Sequence, residues 1–184
     1  MLLFKVLFRI KVYGKENIPK KGGFILASNH VSYLDPVALG VACPRKLSFM
    51  AKADLFAHPL VTKYFLAIEV FPVKKDSADK SALKEAIKRL SHGKGVAIFP
   101  EGARIFEGKS SHALPGVGFL ATKVNVPVIP AFIKGTDLAL PRRAKFIRPH
   151  KISVYFGKEI PIERGLPYSE IADEILRSIW HLSC

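Results

Sequence analysis

Phe24-Ile25-Leu26-Ala27-Ser28-Asn29-His30 is a short apolar run that turns abruptly polar. Four consecutive apolar residues behind a turn suit a strand covered on both faces and are too few for a buried helix. The turn is the stretch Glu16 to Gly23, which contains Pro19 and two glycines. Ser28, Asn29 and His30 are therefore expected at the carboxyl end of a buried strand. Beyond Asp35-Pro36, the residues Val37 to Val41 read as a helix.

The same pattern recurs downstream. Gly95-Val96-Ala97-Ile98-Phe99-Pro100 is a second buried-strand run, and Glu101, Gly102 and Arg104 follow at its end. Val126 to Ile133 is a third, and its Pro127 and Pro130 predict a bulged or edge strand, because proline cannot donate to a sheet ladder. Alternating apolar and polar residues mark strands from Phe8 to Tyr13, ending at Gly14, and from Lys151 to Phe156, while Val70 to Val73 reads as a short strand or edge segment. Helices are expected over Asp54 to Ala67, kinked by Pro59, over Ser81 to Leu90, from Gly116 to Val124 and over Ser169 to Leu182. Strands interleaved with helices place the chain in the α/β class, as a single domain over 1–184 with a mixed sheet flanked by helices. Ligands in such sheets gather beyond the carboxyl ends of strands, where His30 and Glu101 both fall.

Composition narrows the partners. Hydrophobic residues make up 49% of the chain and charged residues 24%, which excludes a charge-rich disordered segment. Twenty-nine Lys and Arg against fifteen Asp and Glu give a net charge of +14, which favours anionic partners. Nucleic acid is not expected, since there is no zinc-finger spacing, no ribonucleoprotein signature and no basic helix running into heptads. With only Cys43 and Cys184, neither a disulfide framework nor a cysteine zinc site is expected, and a reducing compartment is the simpler inference. Lys5, Arg9 and Lys11 break up Met1 to Tyr13, so no stretch reaches the roughly 20 apolar residues needed to span a bilayer. Leu2, Leu3, Phe4, Leu7 and Phe8 either dip into a headgroup region or pack on the protein itself.

His30 stands five positions before Asp35. On a continuous helix the two would point about 140° apart, so their pairing needs the break that Ser32 and Pro36 supply. A carboxylate on one ring nitrogen would fix the tautomer and leave the other nitrogen to take a proton from a hydroxyl. No G-x-S-x-G nucleophile accompanies the pair, so in acyl transfer the attacking group would come from the substrate. Taken alone, H-x4-D is more often a hydrogen-bonded turn histidine beside a helix-capping carboxylate. Phe99-Pro100-Glu101-Gly102-Ala103-Arg104 adds a guanidinium able to hold phosphate beside a glycine that permits close backbone approach, or, on the plainer reading, a turn with a surface ion pair.

The combination changes those odds. Asn29-His30-x4-Asp35, then Val70-Phe71-Pro72-Val73-Lys74, then Phe99-Pro100-Glu101-Gly102-x-Arg104, then Val126-Pro127-Val128-Ile129-Pro130, in that order, resembles the four blocks of the 1-acylglycerol-3-phosphate acyltransferase family. The approach Val12-x-Gly14-x-Glu16-Asn17-Ile18-Pro19 resembles it too, and the likeness runs over roughly residues 10 to 160. It implies an enzyme on the cytoplasmic face of the cell membrane, attached peripherally, that moves a fatty acyl group from an acyl thioester to the free hydroxyl of lysophosphatidic acid. The product would be phosphatidic acid, for phospholipid synthesis. The thioester would be carried by acyl-carrier protein or coenzyme A as co-substrate, with no metal or bound cofactor. The resemblance makes His30 the base and Asp35 its orienting partner, and assigns Asn29, Lys74, Glu101, Gly102 and Arg104 to substrate binding, with Lys75 beside Lys74.

Three departures bear on the acceptor. Ala103 stands where a hydroxyl residue is usual, Ile105 where a small polar one is, and Lys74 where arginine is frequent. The sequence also carries no long hydrophobic N-terminal helices of the kind many members have, so a lighter membrane attachment is expected. His58, His92, His112, His150 and His181 read as surface or packing residues, and Lys84, Lys88 and Arg89 as the outer side of a helix, solvated or seating an anionic lipid or acidic carrier. The rival functions are an acyltransferase for glycerol-3-phosphate, another lysophospholipid or an aminolipid, and a noncatalytic basic lipid- or nucleic-acid-binding protein.

Overall fold

The computed structural model describes residues 7–57, 59, 62, 63, 65, 69–73, 80–105, 112–144 and 146–183. Seven strands form one sheet: β1 (Lys11–Tyr13), β2 (Phe24–Ser28), β3 (Leu47–Lys52), β4 (Val70–Val73), β5 (Gly95–Ile98), β6 (Val128–Lys134) and β7 (Ser153–Phe156). Their spatial order is β1-β7-β6-β2-β5-β3-β4. Every neighbouring pair is parallel except β6 and β7, so the sheet is mixed. The α-helices delimited among the described residues are α1 (Asp35–Ala42), α2 (Lys80–Ser91), α3 (Pro115–Lys123), the single turn α4 (Thr136–Ala139) and α5 (Tyr168–His181). None of the described helices is long and apolar enough to cross a membrane.

Buried strands read as continuous apolar runs because both of their faces are covered, and β2 shows how. Phe24 and Leu26 join a cluster with Leu34, Ala38 and Leu39 around α1, whereas Ile25 and Ala27 join one with Ala86, Val117, Leu120, Ile171 and Ile175. The sheet is thus sandwiched between α1 on one side and α2, α3 and α5 on the other. In α5, Ile171, Ile175, Leu176 and Ile179 recur at helical spacing and are all buried. Truncating such a residue to alanine costs about 2–5 kcal/mol. The approach of α3 to α5 depends on Gly118, because a Cβ there would collide with the main-chain carbonyl of Tyr168.

The structure departs from the sequence reading at five places. First, β6 is neither an edge nor bulged: it lies between β2 and β7. Pro127 precedes the strand, and Pro130 falls opposite Gly157, one residue past the end of β7, where Gly157 N–H still donates to the Pro130 carbonyl at 2.8 Å. The missing donor of Pro130 is thereby lost at the end of a ladder and not within it. Second, β3 had no counterpart in that reading, although Leu47, Phe49 and Ala51 do alternate with Ser48, Met50 and Lys52. Third, β1 is shorter than expected, since Arg9 adopts a positive φ of 42° that interrupts the alternation. Phe8 is buried in the core, while Leu2, Leu3 and Phe4 lie outside the described residues. Fourth, Arg89 is no simple outer-face charge. It bonds Glu85 at 2.8 Å, Ser48 at 3.0 Å and Glu69 at 3.3 Å, and lies over the Phe71 ring. Fifth, the helix expected from Asp54 opens as a 3₁₀ turn, Ala53–Phe56, and much of the rest of it falls outside the described residues.

Three adjacent strands, β6, β2 and β5, run parallel, so their carboxyl ends share one edge. The segments that follow them are Gly135-Thr136, Asn29-His30 and Phe99 to Arg104.

Candidate active site

Between β2 and α1, residues 29–34 form a non-helical turn, and this turn brings His30 and Asp35 together. His30 Nδ1 and Asp35 Oδ2 are 2.8 Å apart. The same Oδ2 accepts the N–H groups of Val31 at 2.7 Å and Ser32 at 2.8 Å, so the carboxylate also closes the turn that precedes α1. Asp35 Oδ1 accepts the hydroxyl of Thr136 at 2.5 Å. Asp35 is 0% exposed, and four donors hold it in place. A buried carboxylate needs such partners, since leaving it unpaired costs several kcal/mol.

With Nδ1 turned to Asp35, the imidazole carries its proton there and presents Nε2 as the acceptor. The His30 side chain is 18% exposed and stacks on Phe99, the ring centroids 4.1 Å apart. Its carbonyl accepts Ile105 N–H at 2.8 Å, which ties the dyad to the segment after β5. The structure therefore unites His30, Asp35 and the Phe99 to Arg104 turn, as the sequence reading anticipated.

Asn29 is placed differently from its assignment to substrate binding. It is buried, its Nδ2 donates to the Ile133 carbonyl at 2.9 Å, and its Oδ1 accepts Ile133 N–H at 2.7 Å. The side chain clips the end of β2 to β6. Lys74, expected as a phosphate contact, lies outside the described residues, as do Lys75 and His58.

Glu101 follows β5, and both of its carboxylate oxygens are buried without a hydrogen-bond partner among the described residues. Burial pushes its pKa up to about 8, and the Asp35 charge adds to the effect. The main-chain N–H groups of Glu101 and His30 pull the other way, from outside hydrogen-bonding geometry. Near neutral pH Glu101 is therefore mostly a neutral carboxylic acid. Gly102 takes a φ of 66°, the left-handed conformation glycine adopts without penalty. Arg104 lies with its guanidinium carbon 3.5 Å from the Tyr33 ring centroid, a cation–π contact that holds the charge beside the dyad loop. Among the other histidines, His92 contacts the Lys88 carbonyl, and His112 lies 3.8 Å from Asp173, each well away in sequence from the dyad.

Thr136 escaped the sequence reading. A usable signal existed, because two apolar runs were already followed by candidate site residues and the third is followed by Lys134-Gly135-Thr136. No group of acidic, histidine or cysteine side chains among the described residues is arranged to hold a metal ion.

Comparison with known proteins identifies the family. Residues 9–134 match the family model described as Acyltransferase. A 1-acyl-sn-glycerol-3-phosphate acyltransferase of Bacillus subtilis is 35% identical over 127 residues, covering 68% of this chain and 63% of the relative. The enzyme of the same name from Borreliella burgdorferi is 31% identical over 175 residues, covering 93% of this chain and 68% of the relative. The crystal structure of the 1-acyl-sn-glycerophosphate acyltransferase PlsC from Thermotoga maritima superimposes with a TM-score of 0.75 at 28% identity, over 95% of this chain and 72% of that one. The chain thus spans about two thirds of the length of these relatives. The family match takes in both the dyad loop after β2 and the turn after β5, and on that ground the chain belongs to the acyltransferase family.

Proposed function

We propose that the chain transfers a fatty acyl group from an acyl thioester to the free hydroxyl of lysophosphatidic acid, giving phosphatidic acid. The observation that carries this reading is the His30–Asp35 pair, whose geometry leaves Nε2 as a base at the carboxyl edge of the sheet. The names of the relatives supply the acceptor class.

In the reaction, Nε2 of His30 takes the proton of the acceptor hydroxyl as its oxygen attacks the thioester carbonyl. Asp35 stabilises the resulting imidazolium. Collapse of the tetrahedral intermediate breaks the carbon–sulfur bond, and the departing thiolate takes the proton back from His30. Atoms and charge balance with the two substrates alone, and no acyl-enzyme forms. Arg104, with Lys74, holds the acceptor phosphate, for which the planar guanidinium is suited. Glu101, a neutral acid whose oxygens are buried in this structure, would reach an oxygen of the acceptor by turning its carboxyl outward. Acyl-carrier protein or coenzyme A carries the donor, and the enzyme works at a membrane surface.

The test is thiol release from a long-chain acyl thioester with and without lysophosphatidic acid, in the wild type and in His30→Ala. Acceptor-dependent release that falls about 10²–10⁴-fold in the variant is expected. Equal activity of the two proteins would remove His30 from the base role, and inertness across donors and acceptors would favour a binding protein. Running glycerol-3-phosphate and other lysophospholipids alongside separates the rival acceptors.

A further inference from the structure

Beyond the site, one described surface segment combines exposed apolar and basic residues. Leu138 on α4 is 55% exposed, and in the loop that follows Phe146 is 80% exposed and Ile147 49%. From Leu138 to Ile152 the sequence contains Arg142, Arg143, Lys145, Arg148 and Lys151 and no acidic residue. The loop is held in shape from within. Leu140 N–H donates to the Thr136 carbonyl at 2.9 Å, Ala144 N–H to that of Pro141 at 2.9 Å, and Arg148 N–H to that of Ala139 at 2.8 Å.

This segment is also bonded to the dyad loop. The Ser32 hydroxyl donates to the Leu140 carbonyl at 3.2 Å, and Thr136, which opens α4, donates to Asp35. Tyr33, 63% exposed and lying under Arg104, and the exposed Val37 continue the apolar and basic character on the dyad side.

We propose that the described residues of Leu138 to Arg148 form a membrane-docking surface, with Phe146 and Ile147 entering the headgroup region of an anionic phospholipid bilayer while Arg142, Arg143 and Arg148 meet its phosphates. Large apolar side chains held out in water and flanked by cations match the chemistry of that interface. A nucleic-acid partner would leave Phe146 and Ile147 without an apolar environment. A second copy seated through the same patch would set its cations against themselves, because a two-fold interface pairs a surface with its own image. Docking here would bring the dyad to the depth of a lipid acceptor's headgroup, a consequence that rests on the function proposed above.

The test uses the full chain and two sets of vesicles, phosphatidylcholine alone and phosphatidylcholine with about one third phosphatidylglycerol. Co-sedimentation is measured for the wild type, for Phe146→Ser with Ile147→Ser, and for Arg142→Gln with Arg143→Gln and Arg148→Gln. Thermal melts verify folding, which these exposed positions should leave intact. The wild type is expected to prefer the anionic vesicles, the apolar variant to bind about tenfold to a hundredfold less, and the basic variant to lose its response to phosphatidylglycerol and to salt. Both variants should still release thiol with a short-chain, water-dispersed lysophosphatidic acid. Wild-type binding by either variant overturns the proposal and moves attachment to another part of the chain. Loss of short-chain activity together with binding also overturns it, since the loop would then serve the site, and so does a change in oligomeric mass without a change in vesicle binding. If no protein shows acyl transfer while the binding pattern holds, the docking surface stands and the acyltransferase reading falls.

Discussion

Replacing Thr136 by valine deletes one hydroxyl from the interior and little else, since the two side chains have nearly the same shape. That hydroxyl is the only donor among the described residues to Asp35 Oδ1, and both residues are 0% exposed. A hydrogen bond to a charged group is worth about 1.5–3 kcal/mol, and the acceptor left behind is a buried carboxylate oxygen that water cannot reach. Taking about 2 kcal/mol, and about 2–4 °C per kcal/mol for a chain of this size, Thr136→Val should lower the melting temperature by about 4–8 °C. Thr136 contacts Asp35 and not the substrate, so its kinetic effect should appear in kcat with KM unchanged. If the whole of that energy is felt in the transition state, kcat falls about thirtyfold. Melting curves and steady-state thiol release on Thr136→Val and Thr136→Ser are the assay, with serine expected to restore most of both losses. A valine variant with wild-type melting temperature and kcat would refute the reasoning. A serine variant as damaged as valine would shift the cause from the hydroxyl to the methyl group.

Three further outcomes follow from the same site. Because burial raises the Glu101 pKa from 4.5 to about 8, the folded state disfavours its ionised form; the stability tied to the neutral acid is complete below about pH 4.5 and is lost as pH rises through 8. Glu101→Gln should therefore melt like the wild type near pH 4 and above it at pH 9, and parallel curves across that range would contradict the buried acid. Gly102→Ala forces a Cβ into the left-handed region and against the Leu114 side chain, and should cost about 1–2 kcal/mol in denaturant unfolding. Arg104→Ala should raise the acceptor KM about tenfold or more with a smaller change in kcat, and an unchanged KM would remove the phosphate contact.

Much of the architecture was legible because burial on both faces leaves a local trace. The runs Phe24 to Ala27 and Gly95 to Ile98 announce themselves, and the polar residues after them mark the sheet edge where the site forms. The amphipathic spacing of α5 likewise gives away its buried face. Where reading failed, a local rule met a long-range exception. Pro130 argues for an edge until Gly157 is found opposite it, and β3 is a six-residue strand whose buried Ser48 hides its pattern.

From the sequence alone came the α/β class, the order of the chemistry-bearing blocks and the need for a break between His30 and Asp35, because all of these are set within a few residues of chain. Tertiary structure alone decided that β6 lies beside β2, that Thr136 reaches Asp35 across 101 positions, that Asn29 is spent on Ile133, and that the Glu101 carboxyl oxygens are buried without a partner among the described residues. These are properties of contacts between distant segments and of exclusion from water. Neither exists until the sheet has brought its strands side by side.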